Sequence, residues 1–205
     1  MGQFGAKDVM FAPMTAGGVE GEKFPTYGEA VDLGPLVVAT PTYTYASGRN
    51  YGSDELQDCV DEFQEVALAL SVTELPILSA AVVFGSKQTA SGGIGYNLAD
   101  AAPEGMVAYH IKKQIKKNGV RSIVYQGVCY PRLKAVRQGV AHNTKTNSIT
   151  FANSAMNFIG GAEENGFYEV FSDNLATEAE AKAWVALMLR GGAEALAEAN
   201  ASAAG

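Results

Sequence analysis

The densest group of chemically active side chains is a block of carboxylates between positions 54 and 65. Its members are Asp54, Glu55, Asp58, Asp61, Glu62 and Glu65. Two carboxylates at a suitable distance can serve as acid and base in a glycoside hydrolase, and carboxylates in the order Asp-x-Asp-x-Asp-Gly bind calcium. The block lacks that order, and charged side chains are mostly found on protein surfaces. It therefore predicts a negatively charged surface, not a catalytic or calcium-binding site.

The histidines and cysteines show no pattern of a metal centre or a catalytic nucleophile. His110 and His142 have no Cys, Asp or Glu at metal-ligand spacing along the chain. Cys59 and Cys129 are too few and too far apart to indicate a metal site or a disulfide framework, and we expect both thiols to be buried. The signatures GxSxG and HExxH do not occur in the sequence. We therefore expect a protein that is not an enzyme and needs no cofactor or metal ion.

The charged residues are segregated along the chain. Residues 1–104 carry 14 acids and 4 bases, residues 105–162 carry nine Lys or Arg and no acid, and residues 163–205 carry 8 acids and 2 bases. The net charge of the whole chain is −7. Either the acidic ends neutralise the basic middle within one molecule, or the two signs face different partners. The sequence leaves both interpretations open.

The elements that position these charges are predicted to be mainly strands. From Phe63 onward, apolar residues alternate with small or polar ones, which is the period of a half-buried strand. The apolar face consists of Val66, Leu68, Leu70 and Val72. Residues 54–62 also fit helical spacing, with Ser53 as a candidate cap, so this part stays undecided between strand and helix.

A basic hairpin is the clearest prediction. Asn118-Gly119 lies between two alternating runs, and both turn residues tolerate positive φ. A two-residue turn pairs Lys117 with Val120 and places Lys116 opposite Arg121. Like charges that face each other on a sheet are destabilising. An anionic partner near the hairpin tip would relieve that repulsion.

The first half of the chain contains further elements. A strand is predicted over residues 7–16, ending near Pro13. Residues 33–45 are predicted to form an edge or bulged strand because Pro35 and Pro41 cannot donate to a sheet on both sides. The stretch SGRNYG at 47–52 is predicted to be a loop, and Pro76–Gly85 a short helix.

The second half ends with a hairpin and a helix. A strand over 148–159 is followed by an Asn165-Gly166 turn into residues 167–171, which predicts a closing hairpin. Thr177 and Glu180 form a capping-box pattern. The helix that follows is predicted to have one apolar side, formed by Ala181, Trp184, Val185, Met188 and Leu189. Gly191-Gly192 ends or kinks this helix.

Several of these stretches together resemble the major tail proteins of long-tailed, non-contractile phages. The resemblance covers residues 5–172: a tyrosine-rich segment, acidic residues, an LxLxV strand, an acidic-Leu-Pro step and a long basic hairpin. The matching residues are Tyr43, Tyr45, Tyr51, Gly52, Asp54, Leu68, Leu70, Val72, Glu74, Leu75 and Pro76. The C-terminal helix and the Ala-rich tail are an extension that does not align.

The resemblance implies a mainly β (α+β) fold: a tail-tube-type β-sandwich or barrel with a short middle helix and a C-terminal helix. It implies residues 1–175 as the tube domain, with 176–205 as an extension, and strands that join into a closed barrel across the subunits of a ring. It also implies stacked, six-fold rings in a virion tail assembled in the host cytoplasm. DNA and the tape measure protein would pass through the lumen, with tail terminator and distal tail proteins at the ends.

Two segments are candidates for contacts between subunits. In the family, a long loop near position 50 contacts the next ring. The acidic candidates and their neighbours are Arg49, Tyr51, Asp54, Glu55, Asp58, Asp61 and Glu62. The basic candidates are Lys112, Lys113, Lys116 and Arg121. We expect these two groups to meet across a subunit boundary.

Two alternative functions remain: a tube protein of a phage-like bacterial injection system, and a nucleic-acid-binding module that uses the basic segment 106–147. The overall acidity disfavours the nucleic-acid module. The chain has no apolar run of the length that crosses a membrane and no signal-peptide pattern at its start. We expect it to be made and kept in a cytosol-like compartment.

Overall fold

The computed structural model describes residues 2–17, 25–52, 55–117, 119–139, 153–164 and 166–191, with side chains except at positions 2–3, 50–52, 55–58 and 117. As the sequence predicts, the chain is mainly β. The strands are β1 Gly2–Ala16, β2 Thr26–Tyr27, β3 Val31–Asp32, β4 Leu36–Gly52, β5 Glu55–Val72, β6 Lys87–Gln88, β7 Ile94–Gly95, β8 Glu104–Lys117, β9 Val120–Arg137, β10 Ser154–Gly160 and β11 Val170–Phe171. The helices are α1 Ile77–Phe84 and α2 Glu178–Leu189.

Nine strands form one antiparallel sheet in the order β2-β1-β8-β9-β10-β5-β4, with β3 also on β1 and β11 on β9. In the described part of the chain, β4 pairs only with β5 and is therefore an edge strand. This position, and a register shift between Leu36 and Val38, confirm the prediction made from Pro35 and Pro41. The sheet does not close on itself within the described residues of one chain.

The main hydrophobic core lies on one face of this sheet. The predicted apolar face of β5 is confirmed, since Val66, Leu68, Leu70 and Val72 are at most 2% exposed. It packs with Phe11 of β1, Tyr130 of β9 and Phe158 of β10. Because β5 already begins at Glu55, residues 55–62 are strand, and the helical alternative is wrong for them. Ser53 and Asp54 lie outside the described residues.

The predicted loop at residues 47–52 is wrong. These residues are the last part of β4, which pairs with β5 from Ser47↔Asp61 as far as Gly52↔Glu55. Gly and Asn are depleted in strands, but strand preference depends on context, and here β5 supplies partners for the backbone of all six residues. The pairing of these residues with β5 is regular except for a register shift, typical of a β-bulge, between Asn50 and Tyr51.

The basic hairpin forms in the predicted register. Lys117 pairs with Val120 and Lys116 with Arg121. Gly119 has a φ of 83°, which only Gly adopts without strain. The predicted short helix is also confirmed as α1, which is flanked by Pro76 and by Gly85 in the left-handed conformation.

The predicted closing hairpin does not form. The turn itself exists, because the Gly166 N–H donates to the Glu163 carbonyl oxygen at 2.8 Å. However, β11 pairs with β9 through Val170↔Cys129 and not with β10. Both edges of β10 are already occupied, by β5 and by β9. Residues 170–171 therefore pair with a stretch of β9 that β10 does not occupy.

Helix α2 covers the opposite face of the sheet. Its buried residues are those predicted from the sequence: Ala181, Trp184, Val185, Met188 and Leu189. They form a second apolar cluster with Ala12 of β1, Met106 and Ala108 of β8, and Cys129 of β9. The Trp184 ring lies directly over Gly127, where an added Cβ would approach a ring carbon to 2.2 Å. The absence of a side chain at Gly127 thus allows the Trp184 indole to pack directly on the sheet.

The capping box predicted at the start of α2 is present. The Glu180 N–H donates to Thr177 Oγ1 at 3.2 Å, and the Thr177 N–H donates to Glu180 Oε2 at 3.3 Å. We expect Thr177→Ala to lower the free energy of unfolding by about 1 kcal/mol, as a shift of the urea midpoint. Glu180→Gln, which keeps an acceptor oxygen, should change it much less. Equal losses in both variants would mean that the cap hydrogen bond is not the stabilising contact.

Candidate functional site

Two long hairpins extend past the same end of the inner strand β10. The pairing of β10 with its neighbours stops at Gly160↔Val66 on one side and Ile159↔Lys134 on the other. Since adjacent strands are antiparallel, β5 before Val66 and β9 before Lys134 both continue beyond that end. We call residues 44–52 and 55–65 the acidic arm, and residues 112–117 and 120–125 the basic arm.

The acidic arm is a two-stranded ribbon that carries exposed charges and exposed apolar groups. Arg49, Asp61 and Glu62 are exposed, and Val60 is 61% exposed. Alternation along β5 puts Asp61 on one face, where Ser47 Oγ donates to it at 2.5 Å, and Glu62 on the other. The predicted carboxylate cluster is therefore divided between two faces of the ribbon. An isolated two-stranded ribbon is only marginally stable in water. Contact with a partner would therefore stabilise this arm.

Some predicted contact residues are described only in their backbone. Tyr51 lies in β4, and Glu55 and Asp58 lie in β5, but their side chains are outside the described set. Asp54 lies outside the described residues altogether. Cys59, which was expected to be buried, is exposed on this arm, so that prediction is wrong for Cys59 and confirmed for Cys129. The reason is that Cys59 lies in the part of β5 that has left the core.

The basic arm contains two kinds of lysine. Lys112 Nζ lies 5.5 Å from the Phe4 ring centroid and 6.0 Å from that of Tyr125. Lys113 Nζ lies 5.9 Å from the Phe171 ring centroid and donates to the Gln126 side chain. Both lysines are half-buried, and their charges are stabilised by aromatic faces within the chain.

Lys116 and Arg121 form the exposed part of the basic arm. They face each other across the hairpin, and no acid among the described side chains lies within ion-pair distance of either. Of the Lys and Arg residues in the described part of 105–162, Arg132 forms an ion pair with a carboxylate: its Nε lies 2.9 Å from Glu104 Oε2. Among the described residues, no carboxylate of the same chain therefore neutralises the charges of Lys116 and Arg121. The acidic and basic arms do not form an ion pair with each other there.

A cleft separates the edge strand β4 from the N-terminal part of β1. Its volume is about 370 Å³, and its floor is formed by side chains of β8 and β9. Val37 and Val38 on β4, Phe4 on β1 and Phe171 on β11 are about half exposed along its rim. Apolar residues next to an unpaired strand edge are typical of a surface that another strand covers.

A carboxylate is held at the floor of this cleft. Glu169 accepts hydrogen bonds from Tyr43 Oη at 2.7 Å and from Tyr130 Oη at 2.6 Å. Burial, followed by the charge and hydrogen bond of neighbouring groups, raises the pKa of the Tyr130 hydroxyl far above its usual value. Burial and the hydrogen bond to Glu169 also raise the pKa of Tyr43. Both phenols therefore stay protonated and donate to Glu169. The three side chains form a hydrogen-bonded polar group at the floor of an otherwise apolar cleft.

Comparison with protein-family models and with curated proteins finds no match for this chain. Any functional assignment therefore depends on its residues and their geometry. Neither helix in the described ranges is both long and apolar enough to span a bilayer.

Sequence reasoning missed one cluster of titratable residues. Asp8 of β1, His110 of β8 and Glu178 of α2 each offer one potential ligand atom, and these atoms lie within 4.8 Å of one another. His110 has no acid at metal-ligand spacing along the sequence, as expected, but the fold brings two carboxylates close to its ring. Asp8 lies about a hundred positions from His110 in the sequence, and Glu178 lies 68 positions from it. The β1–β8 pairing and the docking of α2 bring the three residues together. No local pattern could have indicated them.

Proposed function

We propose that this chain is the structural subunit of a phage tail tube. Copies associate side by side into rings, six-fold as the resemblance implies, and their sheets join into one closed barrel. Stacked rings form the conduit for viral DNA and the tape measure protein, with terminator and distal tail proteins at the two ends.

The observation that carries this proposal is the open sheet with an apolar, unpaired edge on β4. An edge strand of 17 residues offers a long row of backbone donors and acceptors. Soluble proteins usually cover, shorten or charge such edges, because they pair with other chains. In β4 the edge is long, and its Val37 and Val38 are half exposed beside the cleft. Closing the barrel between copies pairs this edge and covers these side chains.

The charge distribution supports a tube more than a nucleic-acid-binding module. A conduit for DNA should hold phosphate weakly, which a chain with net charge −7 favours. A nucleic-acid-binding surface would present its cations freely to phosphate. Here Lys112 and Lys113 are turned towards aromatic rings of the same chain. The remaining opposite-signed arms are suited to fixing the register between neighbouring copies.

The test is assembly of the purified protein, measured by light scattering and negative-stain electron microscopy. We expect rings or tubes on the order of 100 Å across, a width within the range of large closed barrels. Val38→Lys places a charge on the edge of β4 and should prevent assembly. Val136→Lys is the matched control, because Val136 is similarly exposed but lies on the central strand β9.

A protein that stays monomeric at every concentration would contradict the proposal. Assembly that the Val38→Lys and Val136→Lys variants reduce equally would show that exposed apolar area, and not the β4 edge, is the contact.

A further inference from the structure

His110 is a buried side chain that lies between two carboxylates. Its ring is 1% exposed. Nδ1 lies 3.6 Å from Asp8 Oδ2, and Nε2 lies 3.4 Å from Glu178 Oε1. Strand β1 contributes Asp8, β8 contributes the histidine, and the first turn of α2 contributes Glu178. The cluster therefore joins three elements at the place where α2 docks on the sheet.

The local backbone of β1 directs Asp8 towards this position. Asp8 has a φ of 53°, and the β1–β8 register shifts on both sides of Lys7. A bulge of this kind redirects a side chain that a regular strand would place elsewhere. Most non-glycine residues avoid this conformation, although Asp tolerates it better than most.

Neither ring nitrogen of His110 makes a hydrogen bond to any of the described residues. The nearest carboxylate oxygens are too distant or too poorly aligned for one. A buried polar group without a partner costs free energy, and native structures rarely contain one without a reason. An imidazole nitrogen that is buried, faces carboxylates and lacks a hydrogen bond has the chemistry of an available metal ligand.

The chain itself places a cation between the two carboxylates. Lys182 Nζ lies 2.8 Å from Asp8 Oδ2 and 3.7 Å from Glu178 Oε1. Lys7 Nζ also lies 3.4 Å from Glu178 Oε1. The side chains of both lysines are more than half exposed. An exposed ion pair contributes only about 0–1 kcal/mol, so either ammonium can move into solvent when a stronger cation takes its place.

We propose that Asp8, His110 and Glu178 bind a divalent transition-metal ion of the Zn²⁺ type, which replaces the Lys182 ammonium. Zn²⁺ accepts both imidazole nitrogens and carboxylate oxygens as ligands, and water can fill a fourth position beside three protein ligands. The imidazole favours Zn²⁺ over Mg²⁺ or Ca²⁺, which prefer oxygen ligands alone. The three ligand atoms must draw together by about 1–2 Å to reach zinc bonding distances. Rotation of the two partly exposed carboxylates allows this approach.

A bound ion would fasten α2 to β1 and β8, because its ligands come from all three elements. This effect lies within one chain and does not depend on the proposed tube. The two proposals can therefore fail separately.

The test is a titration of the full chain with ZnCl₂ by calorimetry, after treatment with a chelator. The chain should first carry Cys59→Ser and His142→Ala, since an exposed thiol and a second histidine can also bind zinc. We expect one Zn²⁺ per chain and a rise in Tm of about 5–10 °C when free zinc is a hundred times the Kd. Lys182→Ala should tighten binding about two- to fivefold, because it removes the competing ammonium.

Three further variants make the assignment specific. His110→Gln and Glu178→Gln should each weaken zinc binding by about tenfold or more. Glu104→Gln is the control, because this exposed carboxylate also forms an ion pair but lies outside the cluster. If His110→Gln does not fold, Glu178→Gln still provides the test, since Glu178 lies at the surface of the cluster. Absence of saturable binding to the Lys182→Ala variant, or equal affinity in the Glu178→Gln and Glu104→Gln variants, would overturn the proposal.

Discussion

Reversing Lys116 and Arg121 to Glu is expected to abolish assembly and leave the chain folded. Both side chains are exposed, and no described acid compensates either one. If each residue forms a pair of about 1 kcal/mol with an acidic arm in a neighbouring copy, each contact weakens roughly thirtyfold. A ring with several such contacts would then not form at ordinary protein concentrations.

The double reversal is chosen so that it tests association and not folding. Lys116 and Arg121 face each other in the native hairpin, and two glutamates there repeat the same like-charge pairing. Lys112 and Lys113 are left unchanged, because their contacts with aromatic rings support the fold itself. Circular dichroism and the urea midpoint of the variant should match those of the parent chain.

A charge-matched control separates local pairing from general repulsion. Lys87→Glu with Lys134→Glu changes the net charge by the same amount at two exposed positions outside the arms, and should assemble. Adding Asp61→Lys and Glu62→Lys to the first variant should restore part of the assembly. Normal assembly of the Lys116→Glu, Arg121→Glu variant at low salt would show that the arms do not pair between copies.

Replacing Trp184 with Ala is expected to lower the free energy of unfolding by about 3–5 kcal/mol. The indole is 7% exposed and lies on Gly127 within the apolar cluster that joins α2 to the sheet. Alanine leaves a cavity there that the rigid sheet cannot fill. The measurement is urea denaturation followed by far-UV circular dichroism, whose signal comes mainly from the strands.

The shape of the transition tells whether α2 is part of the same folding unit. If it is, the Trp184→Ala variant unfolds in one transition at lower urea. Leu98→Ala serves as the control, because Leu98 is fully exposed and should leave the midpoint unchanged. A strand signal with an unshifted midpoint in the Trp184→Ala variant would show that α2 is an appendage that the sheet does not need.

The features that could be predicted from the sequence are those fixed by neighbouring residues. The apolar face of β5 follows from alternation, the register of the basic hairpin from Asn118-Gly119, and the start of α2 from the capping box at Thr177. Each depends on contacts within a few positions or across one tight turn. The same holds for α1, which Pro76 and Gly85 delimit.

The features that failed depend on partners that are distant in the chain. SGRNYG becomes strand because β5 pairs with it throughout, which its Gly and Asn content conceals. The final hairpin fails because β10 has no free edge left when residues 167–171 return. The cluster around His110 exists only after β1, β8 and α2 have packed. Its members show no spacing that could be recognised beforehand.

The placement of both arms past one end of β10 gives the molecule a direction. At the opposite end, β10 starts beside the last residues of β5, with Ser154 opposite Val72, and neither arm is present. If copies stack in one orientation, as in the proposed tube, the filament would be polar: one terminus would display the arms, and the other would lack them. Subunits would add to the two termini at different rates. A protein that fits one terminus and stops its growth would find no matching surface on the other.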